Sequence, residues 1–200
     1  MSIHAAVNYN LVGDVIVLTY VMGFFVPYNL YIQRLSHRIF GMPSEMIGDD
    51  DRSLLPYTLE VPKLEIKADV EFVGLNRKGS METPSNFKTV GWYKHGISPG
   101  KKGNAVFAGH VDNALGGNGI FSDIDDLALG DTIVIKDSEG KELVFIVEEM
   151  EIVPWLSAPL EKIFGKTDKK RLNLITCTGE WNDDWQTYDD RLIIYATLEE

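Results

Sequence analysis

The chain has 200 residues, of which 44% are apolar and 24% are charged, and this composition fits one well-cored domain. Its net charge of −11 excludes a broad positive surface for phosphates, so we expect no nucleic-acid partner. The single cysteine, Cys177, excludes an intramolecular disulfide and a cysteine-based zinc or iron–sulfur site. This thiol is therefore either an inert buried group or a reactive one.

The first predicted element is an apolar segment from Leu11 to Ile32, whose only formal charge is Asp14. As a helix it would be about 33 Å long, which is enough to cross a bilayer. Arg34 and Arg38 follow the segment, and the positive-inside rule taken alone would leave the rest of the chain in the cytoplasm. We predict a single-pass membrane anchor within residues 1–35, with a hydrophobic helix packed on the domain as the alternative.

Residues 36–56 are predicted to form a polar spacer, because they contain Gly41, Pro43, Ser44 and an acidic run at 49–51. This composition is typical of a linker and lacks the periodic apolar pattern of a packed element. The folded domain is therefore predicted to span residues 57–200.

From Thr58 onward the sequence consists of short β-type runs separated by turn residues. The runs are TLEVPKLEI, ADVEFVGL, NAVFAGH, DTIVIKD, ELVFIVEEMEIV, RLNLITC and RLIIYATL. Two stretches, Phe121–Leu129 and Ala158–Phe164, suit short helices. Seven or eight strands with so little helix predict an all-β fold. We expect a closed or nearly closed eight-stranded barrel rather than a two-layer α/β sheet.

Three side chains that could take part in catalysis lie at the ends of these runs. His110 closes NAVFAGH, Cys177 closes RLNLITC and Arg191 opens RLIIYATL. A strand end exposes a nucleophile while the strand anchors it. Histidine is the usual base, and arginine is a permanent cation that stabilises an oxyanion or holds a carbonyl.

Each of the three residues also has a structural interpretation from spacing alone. A cysteine after a strand is often a small buried hydrophobe, and His95 is a second histidine in the domain. Arg191 has an aspartate at 189 and another at 190 with which it could form an ion pair. Asp112 either orients His110 or is neutral in its effect. Spacing therefore leaves the catalytic and the structural interpretations open.

The sequence words around these residues resemble the signature segments of the sortase family. They are AGHVDN, LNLITCTG and YDDRLIIYA, in that order along the chain. VPKLEIKADV resembles the family's first-strand segment, and METPSNFKTVGWYKHGISPGKKGNAVFAGH resembles the stretch before its histidine. The resemblance covers about residues 57–198. The His-Val-Asp and Thr-Cys-Thr-Gly words are most similar to class E and class F sortases.

The resemblance implies a sortase-type β-barrel and a cysteine transpeptidase. In that family a cysteine attacks the threonine carbonyl of a sorting signal, here of the LPxTG or LAxTG type, forms a thioester and passes the acyl group to an amine. Carried over by motif, Cys177 is the nucleophile, His110 the acid–base residue and Arg191 the oxyanion-binding residue. Thr176, which precedes the cysteine, is assigned to substrate binding.

The same resemblance implies partners and a location. The partners are exported proteins with a C-terminal sorting signal, and an amine acceptor that is a cell-wall precursor or a pilin lysine. The location is the cell membrane, with the catalytic domain on its extracytoplasmic side.

Four tryptophans either line a peptide groove or pack in the core and at its rim. We assign Trp155 and Trp181 to the groove.

The sequence contains no pattern typical of a phosphate-binding or calcium-binding loop. The glycine-rich turn at 116–119 lacks a following Lys-Ser or Lys-Thr, and the acidic run at 123–126 lacks the EF-hand pattern. We predict neither a metal nor a cofactor. Two alternative functions remain open. The chain could be another cysteine acyltransferase or peptidase that acts on cell-wall peptide, or it could be a non-catalytic β-barrel binding domain.

Overall fold

The computed structural model describes residues 54–113 and 116–200. The predicted anchor within residues 1–35 and most of the predicted spacer at 36–56 lie outside the described residues. Within the described part of the chain, no helix is long and apolar enough to cross a bilayer.

The described chain forms a closed barrel with the strand order β1-β2-β3-β4-β7-β8-β6-β5. Its strands are β1 (Thr58–Val61), β2 (Ile66–Val73), β3 (Val90–Tyr93), β4 (Gly103–Gly109), β5 (Thr132–Lys136), β6 (Glu142–Pro154), β7 (Lys170–Asn182) and β8 (Thr187–Leu198). The β2–β3 and β4–β7 pairs are parallel, and the other pairs are antiparallel. The predicted closed eight-stranded barrel is therefore confirmed.

The barrel interior is filled by apolar side chains from every strand, which alternate with outward-facing residues as a pleated sheet requires. The outer surface of β4, β7 and β8 is also covered, because a short helix, α1 (Leu160–Phe164), packs against it. Ile163 of α1 is buried in a second apolar cluster with Val106, Ile193 and Tyr195. Helix α1 thus stands beside the strands that carry the predicted catalytic residues.

Several local predictions differ from the structure. The run TLEVPKLEI is divided between β1 and β2, because a 3₁₀ turn occupies Pro62–Leu64 and Glu65 takes a left-handed conformation with φ of 54°. The helix predicted for Phe121–Leu129 is only a 3₁₀ turn at Ile124–Asp126. Strand β3 was not predicted, since it has four residues and one of them is Gly91.

Two buried asparagines attach α1 to the barrel. Asn173 of β7 has 0% of its surface exposed, and its Nδ2 donates to Ile163 O at 2.8 Å and to Asn104 Oδ1 at 3.1 Å. Asn104 Nδ2 in turn donates to Gly165 O at 2.8 Å. The carbonyl groups at the end of α1 are therefore satisfied by side chains from β4 and β7.

We predict that Asn173→Ala lowers the free energy of unfolding by about 1–3 kcal/mol, because buried acceptors lose their donor. The measurement is urea denaturation followed by circular dichroism. Asn118→Ala is the matched control, since Asn118 is exposed, and it should change stability by less than about 0.5 kcal/mol. Equal effects of the two substitutions would contradict this account of α1.

Candidate active site

A groove of about 810 Å³ is lined by the end of β4, by the middle of β7 and of β8, by the β2–β3 connection and by α1. Its floor includes all three predicted catalytic residues, His110, Cys177 and Arg191. One wall comes from the β2–β3 connection between Leu75 and Thr83, and the opposite wall from the segment between Trp155 and Gly165. The structure therefore brings into one open groove three residues that lie far apart in the sequence.

Of the three predicted residues only His110 lies at a strand end, directly after β4. The prediction that Cys177 ends its strand and that Arg191 begins its strand is wrong, because β7 continues to Asn182 and β8 begins at Thr187.

The pairing of β4 with β7 places His110 next to Cys177. The two strands are parallel, with Ala108 opposite Ile175, and the Thr176 Oγ1 donates to Gly109 O at 2.9 Å. Continuing this register by two residues puts His110 at the level of Cys177 on the adjacent strand. Neighbouring strands are about 4.8 Å apart, so the two side chains are neighbours at the same end of the barrel.

The pairing of β7 with β8 places Arg191 on the other side of Cys177. The two residues are direct partners in the antiparallel register. Directly opposed residues have Cβ atoms about 4.5–5.5 Å apart and point to the same face of the sheet. Cys177 is therefore flanked by the histidine strand and the arginine strand, as the catalytic interpretation requires.

Glycine is required immediately before His110. A Cβ on Gly109 would lie 2.3 Å from the Phe121 ring, which packs across the end of β4. The Phe121 amide also donates to His110 O at 2.9 Å. This close packing ends the strand at the histidine and fixes the backbone from which its ring projects.

The guanidinium of Arg191 is held by neutral oxygen atoms. Its Nη1 donates to Tyr188 O at 2.9 Å and to Asp190 O at 2.8 Å, and its Nη2 donates to Thr187 Oγ1 at 2.7 Å. These bonds use three of the five guanidinium donors. The three acceptors are two backbone carbonyls and a hydroxyl, and none of them is a carboxylate that would neutralise the positive charge. The cation is thus both oriented and available to a developing negative charge.

Asp189 and Asp190, the two possible ion-pair partners of Arg191, make other contacts in the structure. Asp190 contributes its backbone carbonyl to the arginine, as described above. The Asp189 carboxylate accepts a hydrogen bond from Asn182 Nδ2 at 3.0 Å, across the β7–β8 hairpin. These contacts favour the catalytic interpretation of Arg191 over the ion-pair interpretation.

The Cys177 thiol is half-buried, and two opposite charges act on it. Burial raises its pKa above the usual value, the nearby Arg191 guanidinium lowers it, and the Asp112 carboxylate raises it. Burial is the largest of these effects, so the net direction is upward. The thiol is therefore mainly neutral at neutral pH.

The Asp112 carboxylate, considered above as a group that could orient His110, pairs with β8. The Tyr188 hydroxyl donates to its carboxylate, and this bond raises the pKa of Tyr188 to about 12. The contacts of the His110 ring come from the β2–β3 connection, where Nε2 lies 2.8 Å from Pro84 O and Phe87 packs at a centroid distance of 4.8 Å. The sequence analysis did not identify Pro84 or Phe87 as contacts of the histidine ring.

The three residues assigned to substrate binding differ in their positions. Trp155 lines the groove and stacks edge-on against Trp185 with ring centroids 5.9 Å apart. Thr176 also borders the groove, but it is 5% exposed and its hydroxyl bonds to β4. Trp181 is outside the groove lining, where it packs on Tyr188 and donates to Asp183 Oδ1 at 3.0 Å. The substrate contacts of all three stay predictions.

Among residues 54–113 and 116–200, no group of three histidine, cysteine, aspartate or glutamate side chains is arranged to hold a metal ion.

Comparison with known proteins identifies the barrel. The family model described as Sortase domain matches residues 59–199. Sortase A from Corynebacterium diphtheriae is 18% identical with a TM-score of 0.56, over 74% of this chain and 62% of that one. Sortase C from Clostridium perfringens SM101 is 20% identical with a TM-score of 0.52, over 72% and 68%. Sortase C1 of GBS Pilus Island 1 is 16% identical with a TM-score of 0.54, over 72% and 63%.

This chain therefore spans less than two thirds of two of these three structures. At such low identities the structural likeness shows the fold alone. Comparison with curated proteins gave no match.

We predict opposite shifts in the reactivity of Cys177 when its two charged neighbours are removed. Arg191→Ala should raise the pKa of the thiol, because the thiolate loses a stabilising cation. Asp112→Asn should lower it, because a like charge is removed. The measurement is the rate of alkylation by iodoacetamide as a function of pH.

Asp137→Asn, in the β5–β6 turn, is the matched control for charge, and its profile should coincide with that of the unmodified protein. Shifts of the same sign for Arg191→Ala and Asp112→Asn would refute this description of the charges around the sulfur.

Proposed function

Since the family model covers most of its length, the chain belongs to the sortase family of cysteine transpeptidases, and we propose that it cleaves a sorting signal between threonine and glycine. The observation that carries the proposal is the groove in which His110, Cys177 and Arg191 meet on three adjoining strands. The sorting signal is of the LPxTG or LAxTG type and lies at the C-terminus of an exported protein.

The first chemical step is attack on the threonine carbonyl. The Cys177 thiol gives its proton to His110, the resulting thiolate forms a bond to the carbonyl carbon, and the π electrons move to the oxygen as an oxyanion. The Arg191 guanidinium, already oriented by three neutral acceptors, stabilises this charge without reorganising. The positive charge beside the sulfur also offsets part of the cost of forming a thiolate in a half-buried site.

The second step resolves the tetrahedral intermediate. The bond between carbon and the glycine nitrogen breaks, and His110 donates a proton to the departing amine. A thioester to Cys177 remains. An acceptor amine then attacks this thioester, His110 takes the proton that the amine loses, and the sulfur leaves as thiolate. The product is a new amide bond, and the enzyme returns to its starting state when His110 gives its proton back to the sulfur.

The groove suits an extended peptide with apolar side chains. Its walls are largely apolar and include the side chains of Tyr93, Trp155, Ala158, Leu160, Ile163 and Phe164. Such surfaces bind the leucine and the proline or alanine of the proposed signals by burying apolar area. The amine acceptor is a cell-wall precursor or a pilin lysine, and the similarity to a sortase named for a pilus island supports the second source.

The subclass and the location are further parts of the proposal. The His-Val-Asp and Thr-Cys-Thr-Gly words at residues 110–112 and 176–179 support a class E or class F type. The apolar segment from Leu11 to Ile32 supports attachment to the cell membrane, with the catalytic barrel on the extracytoplasmic side, where exported proteins are found.

We predict that Arg191→Ala lowers kcat by about 10²- to 10³-fold, because an oxyanion donor is lost. Arg191→Lys keeps the charge but not the planar set of donors, so it should recover only part of the rate. The measurement is cleavage of an LPxTG peptide followed by chromatography. Arg77→Ala is the matched control, since Arg77 is exposed and outside the groove lining. A folded Arg191→Ala variant with unaltered kcat would remove this residue from the active site.

We predict that the acyl group goes to an amine in preference to water. With the LPxTG peptide at fixed concentration, the ratio of amide to free acid should rise as the amine concentration rises. Cys177→Ala should give neither product. A ratio that is independent of the amine would instead identify a hydrolase, the alternative enzyme class.

We predict that the full chain, expressed in a Gram-positive host, is recovered in the membrane fraction and is degraded by protease added to intact protoplasts. A variant that lacks residues 1–35 should be recovered in the soluble fraction. Full protection of the complete chain from the added protease would contradict an extracytoplasmic catalytic domain.

A further inference from the structure

The ring of His110 is held by the chain segment between β2 and β3. Its Nε2 lies 2.8 Å from the carbonyl oxygen of Pro84, and the Phe87 ring packs against it with centroids 4.8 Å apart. A carbonyl oxygen only accepts hydrogen bonds, so Nε2 must carry a proton while this contact exists. The contact therefore selects one of the two neutral forms of the imidazole, the one with its free lone pair on Nδ1.

The segment that carries these contacts is fixed to the barrel by one carboxylate. Glu71 lies on β2 opposite Gly91 of β3, and its side chain accepts hydrogen bonds from Ser85 N at 2.8 Å and Asn86 N at 3.3 Å. The Thr89 hydroxyl also donates to it. Burial raises the pKa of this carboxyl, but the hydrogen bonds lower it by more, so Glu71 is ionised at neutral pH.

A second contact joins the same segment to the loop after His110. The Lys88 Nζ donates to Asn118 O at 2.9 Å, and Asn118 is bridged to Asp112. Pro84 itself is buried, at the point where a Cβ on Gly91 would touch its ring. Residues 84–89 therefore form a short clamp that is anchored at both ends and closes on the histidine ring; we refer to them as the histidine clamp.

We propose that Glu71 and Thr89 are positioning residues for His110. By ordering the histidine clamp they keep Pro84 O on Nε2, which leaves Nδ1 as the nitrogen that exchanges protons with the reacting groups. The catalytic meaning of this role rests on the proposed transpeptidase function. The choice of tautomer does not, because it follows from the hydrogen bonds alone.

The alternative is that Glu71 stabilises a turn and has no influence on the active site. The two interpretations differ in what the ring of His110 does when the clamp is loosened. A merely structural role predicts a lower melting temperature with an unchanged imidazole. A positioning role predicts a mixture of tautomers even in a variant that is fully folded.

The test uses Thr89→Val, which replaces a hydroxyl by a methyl group of similar size, and Thr89→Ser, which restores the hydroxyl. Glu71→Leu and Glu71→Gln form a second pair, in which glutamine keeps one acceptor oxygen. Asp137→Ala is the control, since Asp137 accepts two backbone N–H bonds in the β5–β6 turn, at 2.9 Å each, and so holds a turn by similar bonds away from the groove.

The first readout is ¹⁵N correlation spectroscopy of the histidine rings in the full chain at alkaline pH, where imidazoles are neutral. His110→Gln assigns the signal among the four histidines. We expect an Nε2–H pattern for His110 in the unmodified protein, Thr89→Ser and Asp137→Ala. Thr89→Val and Glu71→Leu should show a mixture of both tautomers, with Glu71→Gln intermediate.

The second readout is peptide cleavage. We expect Thr89→Val and Glu71→Leu to lower kcat by about 10- to 100-fold with little change in KM, because the proton donor is misplaced while the groove is intact. A pure Nε2–H pattern in folded Thr89→Val and Glu71→Leu would overturn the proposal. So would kcat values equal to that of Asp137→Ala. If no variant, including the unmodified protein, cleaves a sorting peptide, the proposed function fails while the spectra still decide the positioning role.

Discussion

The parallel pairing of β4 with β7 is the constraint on which the active site depends. A shift of one residue in this register would turn every side chain of β7 to the other face of the sheet and carry Cys177 away from His110. The bond from the Thr176 hydroxyl of β7 to Gly109 O of β4 opposes such a shift. Strand β8 then adds Arg191 directly opposite the cysteine, so the geometry of three distant residues follows from two adjacent strand pairs.

Burial of the cysteine has two opposed consequences. It raises the pKa of the thiol and so reduces the fraction of nucleophilic thiolate at neutral pH. It also limits the access of water to the thioester, which must persist until an amine arrives. Arg191 partly offsets the first consequence by its charge, and its neutral hydrogen-bond acceptors leave that charge available.

The barrel and the candidate residues could be predicted from the sequence, because β-type runs and turn residues are local signals and the words around His110, Cys177 and Arg191 resemble one family. The full lengths of β7 and β8 could not, since both strands continue into the polar hairpin between Cys177 and Arg191. Strand β3 could not, since four residues that include a glycine carry little pattern. The contact between His110 and Pro84 has no side-chain signature, because the partner is a backbone carbonyl. The place of Trp181 outside the groove depends on the β7–β8 hairpin, where a bulge follows Thr178 and Gly179 has a φ of 85°.

The most direct test of the central claim is intact-protein mass spectrometry after incubation with LPxTG and LAxTG peptides in the absence of an amine. The account predicts a mass increase equal to the peptide fragment ending at threonine, located on Cys177 and removed when an amine is added. The same adduct in Cys177→Ala, or peptide cleavage by the unmodified protein without any covalent adduct, would contradict it.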